Sequence, residues 1–265
     1  MASFEIRHQW QIRAGRLITG ALKAVGLRER VWDARKARAR ARRLREEAQG
    51  SDRLSRPALH GLEAKLDRII GKYDGFFVEA GANDGFTQSN TYWLERFRGW
   101  KGVLIEPMPT LAREARVERP GTPVIHCALV PAGFEGDTIE MRFGDLLSTV
   151  RGSGSPTGED EEAWTQRGVA LGWRDPYVAT VPARTLSSVL DEVGAPEIDL
   201  LSLDVEGFEP DVLRGLDFGR HAPRWLCVEV HPERGRAPVE EVLGDRYVLH
   251  EVLSPIDVLY RRSDV

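Results

Sequence analysis

Cysteine is scarce: Cys127 and Cys227 are the two thiols in 265 residues. A Cys-based metal site needs more ligands than that. Each thiol falls in a segment that reads as a buried strand, so both are expected to be reduced core residues of a cytoplasmic protein. Long apolar runs are also missing. No stretch approaches the ~18 residues that a membrane span requires. The early apolar segment 17–25 is short, interrupted by Lys23, and lacks a small-residue cleavage pattern after it, so no signal peptide is read. Internal repeats are absent.

What remains is an ordinary globular composition, 42% hydrophobic and 29% charged, of a length that suits one α/β domain with an appendage. The net charge of −4 conceals an asymmetry. Residues 1–50 hold 13 Lys/Arg and five Asp/Glu, whereas the rest of the chain holds 24 basic and 36 acidic side chains. The division expected is a basic helical arm over 1–55 and a catalytic domain over 56–265, joined near "GSDRLSRPALHG". Leu17, Ile18, Ala21, Leu22 and Val25 share one helical face, and "DARKARARARRLREEA" has high helix propensity. Such an arm can pack on the body or on a second copy, making a homo-oligomer. It can instead lie on the inner membrane surface or meet nucleic acid. Arg/Ala alternation without aromatic residues weakens the single-strand reading.

From Phe76 onward short apolar runs alternate with helical segments, the pattern of a parallel sheet covered on both faces. "GFFVEA", "GVLIEP", "PVIHCALV", "IDLLSLDVEG" and "RWLCVEV" read as successive strands. "TYWLERF", with Ser89 or Asn90 as cap, "TLAREARVE", "LSSVLDEVG" and "EPDVLRGL" read as helices. "TIEMRFG" is an added strand, and "YVLHEVL" with "DVLYRR" forms a closing antiparallel pair. Residues 145–180 break the rhythm and carry Trp164, Trp173 and Tyr177; a lid or substrate loop is the expectation, with a plain mobile loop as the alternative.

In open α/β sheets ligands bind beyond the carboxyl ends of the strands. There the chain reads "FFVEAGANDGFTQSNT": an acid, Glu79, then Gly81, Asn83 and Gly85. The glycines permit a sharp turn and close backbone approach to a ligand. The second strand also ends in an acid, Glu106, placed to accept from both hydroxyls of a ribose. An acid facing the turn opposes a pyrophosphate but suits a cationic nucleoside. S-adenosylmethionine fits this better than a dinucleotide does.

"FVEAGANDG", "GVLIEP", "ARTLSSVL", "IDLLSLDVEGFE" and "WLCVEVH" together resemble the FkbM-type methyltransferases over about residues 70–232. The resemblance implies a class I S-adenosylmethionine-dependent enzyme, most often an O-methyltransferase. It implies a mostly parallel seven-stranded Rossmann-like sheet whose last strand is antiparallel. By resemblance Glu79, Gly81, Asn83 and Gly85 form the cofactor loop and Glu106 takes the ribose; Ser89 is a further cofactor-binding candidate. His126, Cys127 and Ala128 then lie near the adenine. Asp204 is a catalytic candidate whose other reading is contact with the cofactor amino group.

Methyl transfer to an alcohol needs the hydroxyl aligned and its proton weakened, by a base or a metal. Asp204 and Glu206 end the fourth strand; Glu229 and His231 end the fifth. Neighbouring parallel strands bring these ends together. His231 is expected as base or metal-linked orienter, with Asp204 and Glu229 as metal ligands or hydroxyl acceptors. Asp204, Glu206, Glu229 and His231 are the candidate ligands for Mg²⁺ or another divalent ion. A helix-cap role for Glu206 and a surface-loop role for His231 stay open, and His60, His221 and His250 read as structural. The acceptor expected is a hydroxyl of a sugar, polyketide or other secondary metabolite. Two alternatives stand beside it: a nucleic-acid methyltransferase using the arm, and a non-catalytic cofactor-binding scaffold. The Asn/Asp-Pro-Pro-aromatic motif of base amino-group methylation is absent, and the acidic body repels phosphates, so nucleic acid is not expected as a partner.

Overall fold

A computed structural model describes residues 28–144, 147–152, 155, 157–171 and 176–265. Two sheets organise them. The larger runs through β1 (Phe76–Ala80), β2 (Lys101–Ile105), β3 (Val124–Ile125), β8 (Leu200–Leu203), β9 (Trp225–Glu229), β10 (Tyr247–Val252) and β11 (Asp257–Arg262). Their order is β10-β11-β9-β8-β1-β2-β3. The five strands β3, β2, β1, β8 and β9 pair in parallel, and β11 lies antiparallel between β9 and β10. This is the expected class: seven strands, mostly parallel, with the chain's last strand reversed.

Strand alternation splits the core. Val78, Val103, Leu201 and Val228 face one way and pack with the helices Leu186–Glu192, Glu209–Arg214 and Ala237–Leu243. Phe77, Leu104, Leu200 and Leu259 face the other way, against Leu62–Ile70, Tyr92–Arg98 and Pro109–Glu118. Each fully buried side chain of this size contributes about 1.5–3 kcal/mol by leaving water. Burial on both faces explains why these strands are largely apolar rather than alternating. Pro109 opens its helix at the first turn, where its missing N–H costs nothing. Thr185 caps the next long connection by accepting from Ser188 N.

"PVIHCALV" is not one strand. β3 pairs with β2, then the chain leaves the sheet at His126–Cys127, and β4 (Ala128–Leu129) pairs with β7 (Tyr177–Arg184). Cys127 therefore lies between strands, buried against the first core cluster, and Cys227 lies within β9; both are free thiols. The second sheet, β4-β7-β5-β6, adds β5 (Thr138–Phe143) and β6 (Thr149–Val150). It encloses a small core of Met108, Leu111, Met141, Phe143 and Val181. Segment 145–180 is thus not a plain loop: it contributes β6, the helix Glu161–Leu171 and half of β7.

The described part of the basic arm, the helix Arg28–Glu47, docks on the body. Lys36 Nζ donates to Asp84 Oδ2 (2.5 Å) and Glu114 Oε2 (2.8 Å). Arg43 is buried, ion-paired to Glu118, bonded to Tyr92 Oη, and stacked 3.5 Å over the Phe86 ring. The apolar face over 17–25 and Trp173 lie outside the described residues. No helix among the described residues is long and apolar enough to cross a membrane.

Candidate active site

The chain reverses its direction across the sheet between β1 and β8, since β2 and β3 lie on one side and β8 and β9 on the other. A crevice opens at that point of such sheets. Here a cavity of about 290 Å³ lies beyond the carboxyl ends of β1, β2, β8 and β9. Glu79, Gly81, Asn83, Ser89, Glu106, Cys127, Ala128, Asp204, Glu206, Glu229 and His231 all line it. Gly85 and His126 do not line it, so the cavity gathers all but two of the expected site residues.

Glu79 differs from expectation in its chemistry. Rather than facing a cationic ligand with a free charge, it is enclosed. Its Oε1 accepts from Asn90 N (2.9 Å), and its Oε2 accepts from Ser89 Oγ (2.9 Å), Thr91 Oγ1 (2.6 Å) and Arg119 Nη1 (3.0 Å). Arg119 closes the helix that follows β2 and is itself buried. Glu79 is therefore the counter-ion of an internal cation and the anchor of the 89–91 turn. Ser89 is likewise committed, since its Oγ also accepts from Tyr92 N (3.0 Å).

The turn after β1 explains its glycines. Gly81 has φ +83°, and a Cβ there would lie 1.7 Å from Asp204 O. The close approach that requires glycine is to the end of β8, not to a ligand. Gly85, also at φ +83°, abuts Ala115 in the same way. Asn83 takes φ +50°, tolerable for an amide side chain. Its N–H donates to Glu106 Oε2 (2.8 Å), and Met108 N donates to Glu106 Oε1 (2.8 Å). Each carboxylate oxygen keeps further acceptor capacity. Burial pushes Glu106 up to about 8 although both N–H groups oppose it. Cys127 is pushed up to about 12 by burial and is chemically inert.

At the other end of the cavity the strand-end acids converge. Asp204 and Glu229 hydrogen-bond each other, and burial with the adjacent Glu229 carboxylate drives Asp204 far above the usual carboxylate range. Glu229 is pushed up to about 7 by burial and by Glu209. His231 Nε2 lies 3.2 Å from Glu229 Oε2 and 3.9 Å from Glu206 Oε2. Burial pulls His231 below its ordinary value, against the pull of Glu209 and Glu233, so the ring is neutral near pH 7. It is not a surface-loop residue: Trp164 of the helix Glu161–Leu171 packs edge-on against it at 5.9 Å.

Glu206 makes no cap to the helix Glu209–Arg214, which has no side-chain cap; Glu209 instead braces the turn before it, its Oε1 accepting from Val205 N (3.1 Å) and Gly207 N (3.0 Å). Glu206 instead takes φ +55°, a conformation rare for a residue with a long side chain. Arg234 braces the same turn by donating to Gly207 O (2.7 Å) and Ser155 O (3.0 Å). His221 pairs with Asp191, and His250 packs on Trp225, both away from the cavity. The sequence pattern did not mark Arg119, Glu209 or Arg234 as site residues, and marked Trp164 only as part of a lid or substrate loop. The second acid of "EGFE", three after Glu206, was the visible signal for Glu209.

A family model described as the methyltransferase FkbM domain matches residues 79–250. Comparison with curated proteins gives no match. Among solved structures, methyltransferase FkbM from Methylobacillus flagellatus KT is 15% identical with a TM-score of 0.42, covering 71% of this chain and 43% of that one. A TehB-like SAM-dependent methyltransferase from Corynebacterium glutamicum ATCC 13032 Kitasato is 11% identical (TM-score 0.39), covering 84% and 96%. The human methyltransferase 10 domain containing protein is 10% identical (TM-score 0.44), covering 77% and 82%.

Proposed function

Because this chain belongs to the methyltransferase FkbM domain family, we propose that it is an S-adenosylmethionine-dependent O-methyltransferase acting on a hydroxyl of a sugar, polyketide or similar small molecule. One observation carries the reading: a single cavity is lined at one end by Glu106 and at the other by Asp204, Glu229 and His231. A nucleoside whose ribose diol bonds Glu106, with its base toward Cys127 and Ala128, directs its sulfonium toward the acid and imidazole cluster. The reacting methyl is then a short displacement from a hydroxyl held there.

An alcohol attacks a sulfonium methyl poorly until its proton is shared or removed. The cluster supports both routes the chemistry allows. A neutral His231 and the carboxylate of Glu229, close to its midpoint at neutral pH, are acceptors for the proton. A divalent cation held by the same atoms would lower the hydroxyl pKa instead. Both act at one point in the cavity.

The docked arm bears on the nucleic-acid alternative. Lys36, Arg40 and Arg43 are engaged with side chains and carbonyls of the body, so this part of the basic charge is spent internally and a phosphate-binding role loses support. The cytoplasmic location and the homo-oligomer remain part of the proposal.

The test is calorimetry with S-adenosylhomocysteine, followed by mass spectrometry of candidate hydroxyl acceptors incubated with enzyme and donor. Product binding and a single added methyl are expected. His231→Ala is expected to lower turnover more than affinity for the product cofactor. Absence of S-adenosylhomocysteine binding would contradict the proposal.

A further inference from the structure

We propose that Glu206, Glu229 and His231 bind one divalent transition-metal ion at the β8–β9 end of the cavity. This rests on the methyl-transfer reading for its purpose, which is to take the acceptor hydroxyl, but not for its existence.

Three observations converge on it. First, one ligand atom from each residue lies within 4.8 Å of the other two, close enough for a small ion to draw them together. Second, those atoms, Glu206 Oε2, Glu229 Oε2 and His231 Nε2, are buried and make no hydrogen bond. Glu229 is 9% exposed as a whole residue. A buried polar atom left without a hydrogen bond is costly, and three such atoms within reach of one another call for a shared partner. Third, Glu206 presents its carboxylate there from a left-handed backbone conformation, φ +55°, that is strained in a residue with a Cβ. Glu209 and Arg234 hold the 205–207 turn in that form. A turn braced in a strained conformation to present one carboxylate serves that carboxylate.

The donor set selects the ion. Two carboxylates supply the negative charge that a dication neutralises. The imidazole nitrogen favours Mn²⁺, Zn²⁺ or a neighbour in their row over Mg²⁺ and Ca²⁺, which prefer oxygen. Asp204, hydrogen-bonded to Glu229, orients that ligand as outer groups of metal sites do. Three protein ligands leave coordination positions open on the cavity side for the acceptor hydroxyl. Trp164, packed edge-on against His231, covers the imidazole with apolar surface.

The experiment uses the full chain treated with EDTA and then titrated with MnCl₂ by calorimetry, with S-adenosylhomocysteine titrated in parallel. Binding of one equivalent is expected, weakened by about 10-fold or more in Glu206→Gln and in His231→Gln. Affinity for S-adenosylhomocysteine is expected to stay within about twofold in both variants, which also reports that they fold. The electron spin echo spectrum of Mn²⁺ bound to the unmutated chain is expected to carry a ¹⁴N coupling, a readout that needs no variant. No stoichiometric binding of Mn²⁺ or Zn²⁺, binding indifferent to both substitutions, or bound Mn²⁺ without nitrogen coupling would overturn the site. Metal binding without S-adenosylhomocysteine binding would uphold the site and defeat the methyl-transfer reading instead.

Discussion

Arg119 and Glu79 form an ion pair whose side chains are 1% and 5% exposed. Burying two charges is expensive, and the pair persists because Ser89, Thr91, Asn90 N and Glu95 complete its hydrogen bonds. Removing one partner strands the other. Arg119→Met is therefore expected to destabilise the fold by about 3–5 kcal/mol in urea unfolding, with part of the loss recovered in Glu79→Gln/Arg119→Met. Full additivity of the two changes would mean the pair does not couple. Glu106 makes a separate prediction. Glu106→Ala is expected to weaken S-adenosylhomocysteine binding by about 1–3 kcal/mol. Its carboxyl is protonated below about 8, and the ionised form is the better double acceptor. Affinity should therefore rise from about pH 7 to about pH 9 in the unmutated protein and stay flat across that span in Glu106→Gln. A flat profile in both would remove Glu106 from the ribose.

At the scale of elements, the Arg28–Glu47 helix acts as a strap. Its Lys36 reaches Asp84, whose Oδ1 accepts from Phe86 N and Thr87 N, so the arm is tied to the turn that follows β1. Arg43→Ala removes the bond to Tyr92 Oη, the ion pair with Glu118 and the cover over Phe86. The expected loss is about 1.5–3 kcal/mol of stability, with weaker S-adenosylhomocysteine binding alongside, read by thermal melts and calorimetry. Unchanged melting would show the strap to be ornamental. Elements of this sheet were legible where local pattern and tertiary role agree. Phe76–Ala80 and Leu200–Leu203 are mostly apolar because both faces are buried, with Glu79 and Ser202 as the polar exceptions, and each runs into a turn at the carboxyl end of the sheet. Where tertiary pairing decides, the pattern misleads. "VIHCAL" is uniformly strand-like, yet Ile125 pairs with Ile105 while Ala128 pairs with Ala183. Nothing local marks the break. Arg119 as the partner of Glu79, 40 residues away, was invisible for the same reason. The site's charged residues were readable as strand-end acids. The left-handed backbone at Glu206 was not, because Glu carries no local preference for it.

The molecule as a whole gathers several carboxyls whose protons are held more tightly folded than unfolded. Burial raises Glu63, Glu209 and Asp257, takes Glu106 to about 8, and takes Glu229 to about 7. Between the ordinary carboxylate range and those raised values the native state binds more protons than the unfolded chain, so stability falls as pH rises toward 8. His231, held below its ordinary value, works in the opposite sense, but its contribution is complete once pH exceeds about 6.5. Glu47, Asp52 and Asp84 are lowered and titrate only in acid. The EDTA-treated, ligand-free chain is thus expected to lose on the order of 2 kcal/mol between about pH 6.5 and 8, seen as a lower Tm at the higher pH. A Tm that rises across that window would contradict the buried-acid account.

Where the nucleoside sits decides which residues meet its ribose and its sulfonium, and a crystal structure of the full chain with S-adenosylhomocysteine measures that directly. The ribose diol is expected on the Glu106 carboxylate, with the sulfur facing Asp204, Glu229 and His231 across the cavity. A nucleoside bound elsewhere, or a Glu106 turned away from the sugar, would contradict it.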